Sequence, residues 1–149
     1  MDIIRDAIVK TLRAKFPEMA DSIIPYTGQL DERSDQQVSY AAPGILVCIL
    51  ECVETPDQIA PWELDANFGL VMAVKEASAR ERDIAGWKLC MEVALVAYGN
   101  TWGINPLNIR PARFVSITKN TLRLPDGTPS GLDYWTILLH NWIKFEAFL

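Results

Sequence analysis

One histidine, His140, and three cysteines, Cys48, Cys52 and Cys90, are the side chains best suited to nucleophilic, acid–base or soft-metal chemistry. A single imidazole excludes any site that needs two, and as a general base it requires an orienting partner that spacing along the chain does not provide. Cys48 and Cys52 fall in a stretch that reads as a strand, where four residues span about 13 Å, far beyond disulfide reach. All three cysteines therefore read as small packed hydrophobes. The acidic groups Asp31, Glu32, Asp35 and Glu51, Glu54, Asp57 carry oxygen ligands for a hard cation, but neither has calcium-loop spacing, and both read as solvated turns. There is no Gly-rich phosphate loop, no Gly-x-Ser-x-Gly elbow and no Cys-His signature. No catalytic residue, cofactor or metal is expected.

The aromatic residues say more. Five tryptophans stand at positions 62, 87, 102, 135 and 142. Trp87 and Trp135 fall on predicted core faces, whereas Trp62 and Trp102 lie in loops and are candidates for exposure. Aromatics interleaved with Arg110, Arg113, Lys119 and Arg123 have the makings of a single-strand nucleic-acid platform, but a net charge of −5 opposes that reading. Trp, Tyr and Arg are equally the residues enriched at protein interface hot spots.

The end of the chain, "LDYWTILLHNWIKFEAFL", sharpens the point. In steps of two, Trp135, Ile137, Leu139, Asn141, Ile143, Phe145, Ala147 and Leu149 make an apolar core face. The alternate set, with Tyr134, Leu138, His140, Trp142, Lys144 and Phe148, mixes aromatic bulk with charge. Contiguous exposed apolar surface marks interaction sites, so this second face is the candidate interface. Trp102 and the polar loop residues Asp31, Glu32 and Arg33 join it as candidate contacts.

The elements that must present these residues follow from pattern. At 149 residues, half of them hydrophobic and 22% charged, the chain reads as one globular domain over residues 1–149 that needs no staples. A helix over about 2–16 carries Ile4, Ile8, Leu12 and Phe16 on one stripe. Residues 17–43 lack a sustained period and read as a long connection, functional or mobile by its length. "GILVCILECV" is apolar on both faces until Glu51, a central strand that something must cover on its second side. "LDANFGLVMAVKEA" alternates as a half-buried strand antiparallel to it. Ser78 caps a helix that stops near Gly99, with Ile84, Trp87, Met91, Ala94, Leu95 and Tyr98 as its expected core face. Its later half is apolar almost all round, so it is either deeply buried or carries a partner on its outer side. A loop at 99–108, a strand over "IRPARFVSITKNTLRL" and the tight connector "PDGTPSG" lead to the terminal strand. The expected fold is α+β in the order α-β-β-α-β-β, a four-stranded, largely antiparallel sheet with two helices packed on one face. The amino-terminal segment intersperses its charges, unlike a secretory signal, and no apolar run approaches the roughly 20 residues of a membrane span. Cytoplasmic residence without membrane contact is the expectation.

The starting helix, the Pro-led strand "PGILVCILEC", the strand "NFGLVMAVKE", the helix "SARERDIAGWKLCMEVALVAYG" and the closing "YWTILLHNWIKFEAF" together resemble the tail-terminator (tail-completion) proteins of tailed bacteriophages, nearest to the Mu-like prophage family. That resemblance implies a homohexameric ring on the end of the tail tube, which stops tube polymerisation and offers a surface to head-completion or connector proteins. It implies tube and sheath proteins as further partners, DNA only as cargo through the lumen, and a final place in the virion tail. It carries over no active site. The rival reading is a small α+β enzyme or ligand-binding domain with a pocket near the 99–108 loop, or another tail or baseplate component.

Overall fold

The computed structural model describes residues 1–26, 42–54, 63–123 and 126–148. Helix α1 spans Asp2–Lys15, a 3-10 segment Pro17–Ser22 follows, and strand β1 is Ile23–Pro25. Strands β2 (Gly44–Glu54) and β3 (Glu63–Lys75), helix α2 (Ala79–Ala97), and strands β4 (Arg113–Arg123) and β5 (Pro129–Lys144) complete the α+β order, with a last 3-10 turn at Phe145–Phe148. No helix among the described residues is long and apolar enough to cross a membrane.

The sheet has five strands in the order β1-β2-β3-β5-β4, not four. The added strand, β1, pairs in parallel with Ile45, Leu46 and Val47 of β2. Three residues are too few to show a period, and Pro25 reads as a breaker. At a sheet edge, however, proline's missing N–H costs nothing. The other neighbours are antiparallel, as expected. The terminal strand also stops short of its expected length: Phe145–Phe148 curls into the 3-10 turn. Phe145's side chain, expected to face the helices, lies outside the described residues.

Both helices lie on one face of the sheet. Ile4, Ile8 and Leu12 of α1 and Leu89, Cys90, Val93 and Ala97 of α2 share one core with Phe68, Leu70, Met72, Trp135, Ile137, Leu139 and Ile143. On the other face a smaller cluster of Leu46, Val71, Ala73, Leu132 and Tyr134 is buried at one end of the sheet, with Ile24 and Tyr26 packed against it. The doubly apolar start of β2 is thus buried on both faces. Past Ile49 the strand bulges, and Leu50, Glu51, Cys52 and Val53 are exposed.

Ser78 caps α2 by accepting from the Glu81 N–H at 3.1 Å, and Gly99 follows the helix at φ +74°, a left-handed position that suits glycine. The face of α2 turned to the sheet is nevertheless not the expected one. Arg82, Gly86, Leu89, Cys90, Val93 and Ala97 are buried, while Ile84, Trp87, Met91, Leu95 and Tyr98 are 44% to 78% exposed. Space decides this. A Cβ on Gly86 would lie 2.0 Å from Nε1 of the buried Trp135, so the helix approaches closely through its small residues and turns its large ones outward. Trp87 sits at the rim, its ring 5.8 Å from that of Trp135.

Gly86→Ala should therefore be destabilising despite alanine's better helix propensity. Overpacking costs about 1–3 kcal/mol and propensity returns about 1, leaving a net loss of about 1 kcal/mol. A lowered urea midpoint at unchanged slope would show it.

The cysteines divide. Burial pushes the Cys48 thiol up to about 11 and the Cys90 thiol up to about 12. Cys52, expected to be packed, is exposed, its Sγ 3.5 Å from the Met1 Sδ. Burial raises the Cys52 thiol as well, so maleimide at neutral pH should label Cys52 first because it is reachable, and the other two only on unfolding. Two fast thiols in the native protein would contradict the packing at Cys48 or Cys90.

Candidate functional site

The connection after α2 is fixed to β5 by a small set of hydrogen bonds. Asn100 donates from Nδ2 to Val96 O at 3.0 Å and accepts the Trp102 N–H at 2.7 Å. Trp102 takes φ +58° and turns its indole inward, where Nε1 donates to Asn141 Oδ1 at 3.0 Å. Asn141 in turn donates to the Arg110 carbonyl at 2.8 Å. Backbone bonds from Arg110 N to Trp142 O and from Lys144 N to Asn108 O, at 2.8 and 2.9 Å, bind the outgoing chain to β5. Trp102, expected at the surface, is only 3% exposed and offers a neighbour almost no area. A short polar loop does not announce an interior indole. Asn141, unremarkable on an apolar face, is the residue that explains it.

The clamp presents a cleft of about 240 Å3 at the corner where the end of α2 meets the start of β4. Tyr98, Arg110, Arg113, His140 and Trp142 line it, together with Gly99, Pro111 and Ala112. The Arg110 and Arg113 guanidinium carbons lie 4.7 and 5.5 Å from the Trp142 ring centroid, a double cation–π arrangement. Arg110 also reaches Glu63 at 3.1 Å. Arg113 is exposed and has no ion pair among the described residues.

His140, for which sequence spacing offers no partner, acquires one through sheet register. Asn67 pairs with His140 across β3 and β5, which brings Asp65 diagonally within reach, its carboxylate oxygens 2.9 and 3.0 Å from Nδ1. An imidazole so held leaves Nε2 for the cleft. The other lining residues include no Ser, Thr or Cys as a nucleophile, so the chemistry at hand is recognition of an acidic or hydrogen-bonding group. Among the described residues no group of three or more His, Cys, Asp or Glu is placed to hold a metal.

The remaining candidate contacts separate by depth. Leu138, His140, Trp142 and Lys144 lie half-exposed along the open face of β5, and Phe148 packs partly against the main core. Tyr134 is interior, in the smaller cluster, and burial raises its hydroxyl pKa. Asp31, Glu32, Arg33 and Trp62 lie outside the described residues. The outer stripe of α2, expected in the core, is the largest set of exposed apolar side chains on one element among the described residues.

No protein-family model and no curated protein matches the chain. Among solved structures it is similar to a chain of the "Virion of native gene transfer agent (GTA) particle", with a TM-score of 0.59 and 10% identity, covering 95% of this chain and 94% of that one. At that identity the likeness is one of fold, shared across nearly the whole length of both chains.

Proposed function

We propose that this chain is a structural subunit of a phage-like particle and acts there as a tail terminator: copies assembled into a ring, six in the reading from resemblance, close the tail tube and present a surface to the head-joining proteins. Tube and sheath proteins would be its further partners, with assembly in the host cytoplasm and a final place in the virion tail. The observation that carries this reading is the outer stripe of α2. Ile84, Trp87, Met91, Leu95 and Tyr98 are exposed over four turns, a surface that costs a monomer solubility and that a neighbouring protein would cover. The half-exposed Leu138 and Trp142 on the open sheet face add to it. The likeness of the whole chain to a component of a virion supports the same reading.

The mass of the purified protein in solution tests it, wild type beside Leu95→Glu and Trp142→Ala. The wild type should be a ring-sized oligomer. Each substitution should weaken association by about 2 kcal/mol or more per interface, as expected at hot-spot positions. Leu95 is 78% exposed, so Leu95→Glu should leave the stability of the subunit within about 0.5 kcal/mol. A wild type that stays monomeric at all concentrations would end the ring reading. It would favour a ligand-binding domain instead, for which the cleft with its Asp65-held His140 is the specific observation.

A further inference from the structure

The two edges of the sheet differ in charge and match in exposed apolar surface. At one edge β4 pairs only with β5 among the described residues. Its start carries exposed Phe114 and Val115 beside the uncompensated Arg113, next to Tyr98 at the end of the α2 stripe. At the other edge β1 stops at Val47, and beyond it β2 pairs only with β3 among the described residues. There Leu50 and Val53 are exposed on either side of Glu51, which likewise has no ion pair among the described residues. Register places Glu51 opposite Asn67 and Val53 opposite Asp65, so both residues share the open face with His140 and Trp142. Among the described residues each edge also leaves a row of backbone N–H and C=O groups without a strand partner, the feature that proteins normally cover.

We propose that the β4 edge of one copy receives the β2 edge of the next, with Glu51 of the incoming strand facing the Arg113 and Trp142 end of the cleft, and the exposed Leu50 and Val53 flanking that contact with apolar surface. This deepens the assembly reading and rests on it. Charge complementarity selects the occupant: in a chain of net charge −5, an arginine pair stacked on tryptophan is a local exception, and the chain's own opposite edge offers an acidic group between two apolar ones. The contact joins unlike surfaces, so it is heterologous, the type from which closed rings are built. Register is fixed by the charge pair, and affinity comes from the apolar residues around it.

Charge reversal tests this. Arg113→Glu and Glu51→Arg each place like charges across every interface and should lower the association constant at least tenfold, while the double variant restores the pairing and should reassemble. A 1:1 mixture of the single variants should also assemble, because alternating copies present complementary edges throughout. Both side chains are exposed, so circular dichroism of the single variants should match the wild type, and their thermal unfolding should match wild type diluted to the monomer, apart from the small loss of the Arg113 cation–π contact. If the wild type is assembled and the single variants remain so, or if the double variant is no better than the singles, the edge pairing is wrong while the ring reading stands. If the wild type itself is monomeric, the ring reading and this proposal fail together.

Discussion

Asp133→Ala should cost about 3–5 kcal/mol of folding stability, a large part of what a domain of this size possesses. Asp133 is 1% exposed and Arg82 6%, with Arg82 Nε 3.2 Å from Asp133 Oδ2 and Lys119 Nζ 3.5 Å from the same oxygen. Lys119 also binds Asp83, and that hydrogen bond raises its pKa above the ordinary value. Removing the carboxylate leaves a guanidinium desolvated between α2 and the sheet, its Nη1 still donating to the Glu76 carbonyl at 2.9 Å. The alignment is poor, however: neither Arg82 Nε nor either Asp133 oxygen has a well-directed hydrogen bond. Attraction in such a pair does not fully repay the cost of taking both charges out of water. Replacing both, Arg82→Met with Asp133→Leu, should accordingly recover most of the loss, to within about 1 kcal/mol of the wild type or above it. Chemical denaturation of the single and the double variant beside the wild type separates the cases. A single variant that loses less than about 1 kcal/mol would mean that water reaches the pair.

Trp102→Ala should be of similar size, about 3–5 kcal/mol, through loss of a nearly buried indole and the void it leaves. It also strips Asn141 of the N–H that its Oδ1 accepts, and Asn141 holds the Arg110 carbonyl. The damage should therefore spread to the cleft. The expected signature is a lowered melting temperature with an oligomer that, at temperatures where the variant is folded, is loosened mainly through misplacement of Arg110. If Trp102→Ala left the melting temperature intact and abolished assembly, the indole would be a contact residue and the interior placement would be refuted. Leu95→Glu gives the reverse pattern, so the two variants calibrate each other.

Residue pattern alone determines strand faces and local caps in this chain. Alternation along β3 and β5 put Phe68, Leu70, Met72, Trp135, Ile137 and Leu139 on the helix side, because in a strand the period of two leaves only one choice of face. The cap at Ser78 and the stop at Gly99 were equally legible, being local. Helix α2 was not. Its apolar residues run nearly all round, so hydrophobicity could not choose the inner face, and Trp135 chose it by leaving room only for Gly86. Strand β1 was hidden by its length. The cleft was hidden because its parts come from residues 65, 98, 110–113 and 140–142, joined only by sheet register and by Asn141. The half-exposed face of β5 was readable as mixed, but the depth of each residue on it depended on which end the smaller cluster covers.

The anchoring of the 99–112 connection has a kinetic consequence. With its backbone tied to β5 at Asn108 and Arg110, and Trp102 locked inside, the stacked arginines above Trp142 meet an incoming group already in place. Little conformational entropy remains to be lost there on encounter. Association through such a preorganised cationic end should be limited by diffusion and orientation instead of by loop closure, and its rate should fall as ionic strength rises while dissociation changes little. The sheet edge would then select a partner during approach, before apolar surface is committed.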